Sequence, residues 1–299
     1  MPELPEVETT RRGLAPHLIG RHIAAVTLRR ADLRWPIPGE IAALLPGQRI
    51  DAVRRRAKYL LLDTAAGSAL LHLGMSGSLR VLAADTPARA HDHVDLLLGD
   101  RGNAPPSRVL RFNDPRRFGC LLWQPPGSTH ALLRGLGPEP LAIPGGDGIA
   151  AAPALGPEDG IAMSSPVFSG DYLFARSRGR RVPVKALLMD QRVVVGVGNI
   201  YVAEALFAAG VSPLRAAGRV SRERYARIAE AIEHILGQAI ARGGTTLRDF
   251  SSPDGAPGYF AQELSVYGRD GLPCPTCGRP LKHAVLAQRA TVWCGRCQR

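Results

Sequence analysis

Pro2 and Glu3 are the first residues of the chain whose types and adjacency suggest chemistry. They open the stretch Pro2-Glu3-Leu4-Pro5-Glu6-Val7-Glu8. Removal of Met1, which a small cyclic second residue favours, leaves Pro2 as a free secondary amine. An α-amino group titrates near pH 8, against about 10.4 for Lys, so it is uncharged at pH 7 far more often. A prolyl amine is more basic than the generic case. In compensation, its attack on a sugar aldehyde carbon gives a charged iminium directly, and an iminium is an electron sink. The neighbouring carboxyl of Glu3 can move a proton at the same carbon. The same residues have a plainer reading, in which Pro2 and Pro5 begin a helix and Glu3, Glu6 and Glu8 suit its N-terminus. On these residues alone both readings stand.

A second cluster lies near the other end. Cys274-Pro275-Thr276-Cys277 and Cys294-Gly295-Arg296-Cys297 are two CxxC pairs separated by sixteen residues. That is the spacing of a four-thiolate site for one structural zinc ion; two redox pairs are the other reading of the same spacing. The residues between them read as a hairpin, with Gln288-Arg289-Ala290 near its tip. From Cys274 to Arg299 there are five Arg or Lys and no Asp or Glu. A metal-stiffened hairpin of this kind would set the Arg289 guanidinium against a phosphate. Cys120 stands alone, and disulfides are not expected in the cytosol.

The whole chain repeats this charge bias. Its 299 residues carry a net charge of +12 and a pI near 10.2, which points to a polyanionic partner. Apolar content of 45% and charged content of 21% describe a globular protein, long enough for two domains and unlike a disordered chain. No signal or transit peptide is visible. The most apolar stretch, Val193 to Val211, contains Asn199 and Glu204 and makes a poor membrane span. The expected location is cytoplasmic and nucleoid-associated. Of 38 basic residues only Lys58, Lys185 and Lys282 are Lys, so each marks a candidate titratable amine.

These residues need elements to position them. Pro5 to about Ala15 reads as a helix with Val7 and Leu14 inward. Eight strand-like runs follow: His22–Leu28, Arg49–Arg55, Tyr59–Asp63, Ala69–Leu73, Ser78–Leu82, Val94–Leu98, Val109–Phe112 and Cys120–Trp123. Turn residues separate them at short spacing, as in a β-sandwich. Three loops stand out: Arg54-Arg55-Arg56-Ala57-Lys58, Leu73-Gly74-Met75-Ser76-Gly77, and Asn113-Asp114-Pro115-Arg116-Arg117-Phe118-Gly119. An apolar residue at a turn tip is usually packed. In a basic protein, Met75 and Phe118 also suit the wedges by which proteins unstack DNA, with an Arg reading the exposed partner base.

Leu136 to Gly170 reads as a Gly/Pro/Ala-rich linker. Asp171 to Lys185 is basic, with Arg176, Arg178, Arg180 and Arg181; it is either a solvated face or a phosphate contact. Pro183 to Met189 forms a short helix, and Gly196-Val197-Gly198-Asn199 a turn, with Asn199 capping a helix to about Ala209. Tyr201 stands where a dinucleotide fingerprint needs its third glycine, so a nucleotide cofactor is not expected. The glycine turn instead offers backbone N–H groups to a phosphate. Ser221 caps a longer helix that buries Tyr225, Ile228, Ile232, Ile235, Leu236 and Ala239 and ends at Gly243. Leu247 to Gly271 is a long Gly/Ser/Asp-rich segment.

Together these pieces closely resemble the bacterial formamidopyrimidine-DNA glycosylases. The matching stretches are Pro2 to Thr9, Arg55 to Leu60, His72 to Gly77, His91 to Asp95, Asp114 to Gly119 and Val195 to Tyr201. Gly243 to Leu247, Gly258 to Phe260, Val266 to Arg269 and Gln288 to Thr291 continue the match nearly end to end. One departure is an insertion from Ile143 to about Val167.

The resemblance implies an α+β fold with four parts. These are an N-terminal β-sandwich with an N-terminal helix (1–135), a linker (136–183), a helix–two-turns–helix domain with a lesion-capping loop (184–270) and a four-cysteine zinc finger (271–299). It implies a monomer that binds damaged double-stranded DNA between its domains and has no membrane role. The implied activity is bifunctional: a glycosylase that releases oxidised purines and a lyase that nicks the strand by β,δ-elimination. Pro2 would be the nucleophile at C1′ and Glu3 the proton donor. Lys58 would assist β-elimination and Arg289 δ-elimination. Met75, Arg116 and Phe118 would fill the gap left by the flipped nucleotide, with Arg116 facing the orphaned cytosine. His91, Arg180, Asn199 and Arg289 would contact the DNA, and Thr245 to Tyr267 would cap the extruded base. Two alternatives are an endonuclease VIII-like enzyme for oxidised pyrimidines and a non-catalytic zinc-ribbon DNA-binding protein. Leu4 and Met75 favour the purine enzyme over the first, and the ribbon protein has no use for Pro2-Glu3.

If the basic segment meets phosphates, Arg180→Ala weakens DNA binding across sequences and lowers the slope of log affinity against log salt by about one. Titrations at several salt concentrations read that slope; an unchanged slope marks the segment as a solvated face.

Overall fold

In the computed structural model, residues 2–100, 106–141, 166–244 and 264–299 are described. They fall into two compact units. One holds residues 2–100 and 106–134 with 243 and 244; the other holds 135–141, 166–242 and 264–299.

The first unit begins with helix α1 (Leu4–Leu18) and continues through β1 (His22–Leu28), the short helix α2 (Gly39–Leu44), β2 (Ala52–Arg56), β3 (Tyr59–Thr64) and β4 (Gly67–His72). The strands β5 (Ser78–Ala83), β6 (Asp92–Gly99), β7 (Arg108–Asn113) and β8 (Cys120–Gln124) complete it. All eight expected strands are present, in two antiparallel sheets ordered β1-β6-β7-β5 and β2-β3-β4-β8. The two sheets share one core. Ile23, Val94, Leu96, Leu110 and Phe112 come from the first sheet and Val53, Leu60, Leu62, Leu71 and Trp123 from the second. Val7, Leu14 and Leu18 bring α1 into that core. The fully buried Leu18 carries α1 a turn beyond the expected end at Ala15, with Pro16 tolerated in the last turn.

The second unit corrects the linker reading at both its ends. Leu136 to Pro138 is fixed rather than free: the Gly137 N–H donates to Gln191 O at 2.8 Å, and Val195 N–H donates to Pro138 O at 3.2 Å. A Cβ on Gly137 would lie 2.7 Å from the Val193 backbone, so only glycine fits there. Residues 170–177 form a helix, α3 (Gly170–Ser177), capped by Ser169, whose hydroxyl accepts from Tyr172 N–H. It lies so close to α6 (Arg222–Ala241) that a Cβ on Gly170 would meet Ala226 Cα at 2.4 Å. Of the insertion at 143–167, all but Pro166 and Val167 lies outside the described residues.

Helices α4 (Val184–Met189) and α5 (Asn199–Ala208) flank two turns stitched by Gln191. Its side-chain oxygen accepts from Gly196 N–H at 2.9 Å and its amide donates to Val197 O at 3.2 Å. Asn199 is not the cap of α5. The extended Gly198 takes that position, Asn199 becomes the first helical residue, and its side-chain oxygen has no hydrogen-bond partner among the described residues. Helix α6 follows expectation, with Ser221 as cap, the anticipated apolar face buried, and Gly243 at φ +75° after its end. The finger is the hairpin β9 (Lys282–Leu286) and β10 (Arg289–Trp293). It is joined to the helices by Gln298, whose amide donates to Val211 O at 3.0 Å, and by Arg299 N–H, which donates to Gly210 O at 3.1 Å. Among the described residues, no helix is long and apolar enough to cross a membrane.

In the first unit a buried carboxylate, Glu8, collects three guanidinium groups: Arg11 at 2.8 Å, Arg12 at 2.9 Å and Arg55 at 3.0 Å. Burial alone raises its pKa, but the hydrogen bonds and charges of Arg11, Arg12 and Arg55 together hold it below the usual value of 4.5. A carboxylate with a depressed folded-state pKa stabilises above its unfolded value and loses that contribution as pH falls through the folded one. Glu8→Gln, which deprives the buried Arg55 of this carboxylate, is expected to cost about 3–5 kcal/mol at pH 7. The gap to the unmodified protein should close as pH drops below about 4.5. Urea unfolding across pH reads both effects; a gap that does not change with pH would show that the group acts by shape alone.

Candidate active site and nucleic-acid interface

Glu3 is the N-cap of α1, with extended backbone (φ −103°, ψ −170°), and it closes a reciprocal capping box with Glu6. The Glu3 N–H donates to the Glu6 carboxylate at 2.8 Å, and both residues are buried. Pro2 is buried beside them. The plainer expectation of a helix start is therefore met, and the same geometry fixes the Pro2-Glu3 pair. The Glu3 carboxyl sits at the positive end of α1, where the helix dipole favours an anion.

Lys58 is buried at the turn into β3, directly after Ala57, which has φ +55°. Arg55 spans that turn, since its guanidinium donates to Ala57 O at 2.9 Å while it also holds Glu8. His72 on β4 lies near enough to feel the Lys58 charge. Burial first, then the charges of Lys58 and Arg34, push its pKa down to about 4. The ring is thus neutral at pH 7, and its Nδ1 accepts the Gly74 N–H at 2.9 Å. His72 in this way fixes the turn that carries Met75.

Met75 is partly exposed, and Phe118 is 45% exposed, so neither is a core residue. The Arg116 guanidinium lies 5.0 Å from the Phe118 ring centroid. The two turns touch through backbone: a Cβ on Gly74 would lie 2.4 Å from Gly119 N. His91 is exposed at φ +70°.

In the second unit Arg180 is exposed, and its backbone is paired with Ser177 O at 3.0 Å and Gly218 N at 2.9 Å. Arg289 is exposed just past the finger tip, where Ala287 and Gln288 both have positive φ in a two-residue turn. The buried Lys185 of α4 grips the strand after it, donating to Ala290 O at 2.9 Å and Thr291 Oγ1 at 2.7 Å. Lys185, Met189, Leu286 and Arg289 line a cavity of about 190 Å³. Glu204 on α5 is a buried carboxylate that accepts three backbone N–H groups, from Ser265 at 2.8 Å, Val266 at 3.0 Å and Tyr267 at 2.8 Å. It thereby holds the far end of the expected base-capping segment, whose residues 245–263 lie outside the described set.

The four cysteine sulfurs of the finger all lie within 4.8 Å of one another, with Cys274–Cys297 at 3.9 Å and Cys277–Cys294 at 3.5 Å. Tetrahedral zinc with sulfur at about 2.3 Å requires sulfur–sulfur edges of roughly 3.8 Å. The set fits one structural zinc ion, and none of these cysteines forms a disulfide.

Five residues other than glycine have positive φ among the described residues: Ala57, His91, Arg117, Ala287 and Gln288. Each is, or is within two residues of, an expected site residue. Residue types had pointed to the site, but not to His72, Lys185 and Glu204 as the groups that place its parts. His72 lay within a quoted motif and Lys185 was a retained Lys; nothing in the sequence around Glu204 marks its role.

The chain matches the family model of the formamidopyrimidine-DNA glycosylase N-terminal domain over residues 1–121 and of the glycosylase H2TH domain over 155–251. Residues 271–299 match the zinc finger found in FPG and IleRS. A formamidopyrimidine-DNA glycosylase of Stenotrophomonas maltophilia (strain R551-3) is 70% identical over 299 residues, covering both chains fully. The crystal structure of the MutM (FPG) protein from Thermus thermophilus aligns with a TM-score of 0.80 at 39% identity, covering 99% of this chain and 98% of that one. The wild-type Lactococcus lactis Fpg (MutM), in complex with N7-benzyl-Fapy-dG containing DNA, aligns at 0.82 and 28% identity over 99% of each chain.

Metal analysis of the purified protein is expected to give about one zinc per chain, and chelation to abolish DNA binding as the finger loses its fold. Zinc-free protein that binds DNA with full affinity would overturn the structural role of the ion.

Proposed function

The chain belongs to the formamidopyrimidine-DNA glycosylase family, and from that membership we propose how its own residues excise oxidised purines from double-stranded DNA. The observation that carries the reading is the buried Pro2-Glu3 pair, held at the head of α1 by the capping box with Glu6.

Loss of Met1 frees the Pro2 amine. The amine attacks C1′ of the damaged nucleotide, the glycosidic bond breaks, and the base leaves with a proton supplied through Glu3. The opened sugar is then joined to Pro2 as an iminium. The iminium acidifies the C2′ hydrogens, and removal of one expels the 3′ phosphate, a step assisted by Lys58. That first elimination already nicks the strand; a second, assisted by Arg289, expels the 5′ phosphate and leaves a one-nucleotide gap, and water hydrolyses the iminium to free the sugar remnant from Pro2. The neutral His72 adds no positive charge beside Lys58 above about pH 4. Met75, Arg116 and Phe118 fill the space left by the extruded nucleotide, and His91, Arg180 and Asn199 contact the backbone. The exposure of Met75 and Phe118 supports this wedge role over a core role. The zinc ion is structural and takes part in no bond-making step. The protein works as a single chain on the nucleoid, as part of base excision repair. Leu4 and Met75 favour purine over pyrimidine lesions.

Borohydride reduction during turnover on an 8-oxoguanine duplex is expected to trap DNA on the N-terminal peptide. Glu3→Gln should bind the lesion and release no base, and Lys58→Ala should still trap on Pro2 while nicking more slowly. An unperturbed Lys is only about 0.04% neutral at pH 7, so Lys58 competes only with a depressed pKa. Peptide mapping that places the crosslink on Lys58, or full activity of a Met1-retaining protein, would overturn the N-terminal mechanism.

A further inference from the structure

We propose that Asp114, acting with Ser76, is a positioning residue that makes Met75, Arg116 and Phe118 a single rigid wedge. This rests on the reading of those three residues as the group that fills the gap in the duplex. Met75 and the Arg116–Phe118 pair sit on two different turns, one between β4 and β5 and one between β7 and β8. Neither turn has regular secondary structure to hold its tip.

Asp114 is fully buried, and each of its carboxylate oxygens serves a different turn. Oδ1 accepts the Ser76 hydroxyl at 2.7 Å, one residue from Met75. Oδ2 accepts Gly119 N–H at 2.8 Å, one residue past Phe118. The Ser76 hydroxyl oxygen in turn accepts Arg116 N–H at 3.2 Å. A chain of hydrogen bonds thus runs from one turn through the carboxylate and back into the other. The Asp114 backbone adds three more. Its N–H donates to His91 O at 3.0 Å, and its carbonyl accepts from Arg117 N–H at 3.3 Å and from His93 Nε2 at 2.9 Å. The candidate DNA contact His91 is therefore tied to the same residue.

Packing closes the alternatives. A Cβ on Gly77 would lie 2.2 Å from Leu73 O, and one on Gly119 would lie 2.6 Å from His72 O. With Gly74 against Gly119 as well, the two tips have no room to slide past each other. Entry between stacked bases is costly, and a wedge ordered only on entry would add its own ordering entropy to that cost. A wedge ordered beforehand adds none. A carboxylate suits the task, because its two oxygens accept from both turns at once and bonds to an ionised acceptor are stronger than neutral ones.

The test compares two substrates. An 8-oxoguanine in a duplex requires the gap to be filled, whereas an abasic site in a single strand leaves no partner base to displace. Ser76→Ala is expected to lower single-turnover excision from the duplex by about tenfold or more. Its nicking of the single-stranded abasic site should stay within about twofold of the unmodified protein. Asp114→Asn should act in the same direction; if it does not fold, Ser76→Ala carries the test alone. In a Met75→Ala background, Ser76→Ala should add less than about a further twofold, because the wedge it positions has lost its tip. Equal losses on both substrates, or no loss on the duplex, would overturn the positioning role. Full duplex activity of Met75→Ala alone would overturn the wedge reading, and the proposal with it, so the two failures are told apart by different variants.

Discussion

The first unit depends on one buried carboxylate. Glu8 accepts from Arg55 across the gap between α1 and β2 and from Arg11 and Arg12 along its own helix. Arg55 also reaches Ala57 O. A single acid thus references the helix that presents Pro2-Glu3 and the turn that presents Lys58 to the same point. Hydrophobic burial of Val7, Leu14 and Leu18 pulls α1 onto the sandwich, but apolar contacts tolerate sliding and rotation. A hydrogen-bonded ion pair in a dry environment does not, because any shift leaves a guanidinium or a carboxylate short of a partner where water cannot replace it. The packing supplies most of the stability and the ion pair supplies the register.

The second unit solves the same problem with charges directed at backbone. The finger has little apolar interior of its own; Val292, Leu281, Cys274 and Cys294 pack with Ala203 and Val266. Lys185 fixes the strand that follows its tip, and Glu204 fixes the chain that leads into it. Both side chains come from helices beside the glycine turn. Bonds from a buried ionised group to backbone amides and carbonyls are stronger than neutral ones and hold the main chain itself. The finger can therefore stay small while its outer face stays basic.

Much of this was legible in the sequence, and the exceptions have a common cause. Every strand of the sandwich was visible because alternation and turn residues are local signals. β2 starts later than expected because Arg49 and Ile50 are engaged elsewhere, with His22 and with Gly20 and Arg21. The helix α3 was hidden because only Leu173 and Ser177 are buried on it, amid four Arg that suggested a solvated run. Leu136 to Pro138 looked like linker because its partners, Gln191 and Val195, lie more than fifty residues away. Asn199 was moved one position by the extended backbone of Gly198. The chemistry at the candidate site was readable from residue types, since amines, thiols and guanidinium groups announce themselves. Asp114, His72 and Glu204 did not, because each acts through groups, mostly backbone, that no spacing rule connects to it.

The left-handed backbone at Ala57, His91, Arg117, Ala287 and Gln288 sets stability and performance against each other at five defined positions. A side chain in that region costs on the order of 1 kcal/mol or more that glycine would avoid. Selection for thermal robustness alone would therefore drift toward glycine or asparagine there, relaxing the folded state while broadening the orientations of Lys58, Phe118 and Arg289. A chain kept marginally less stable keeps those aims narrow. An engineer seeking a hardier variant would do better to look in the core or on the surface than at these turns.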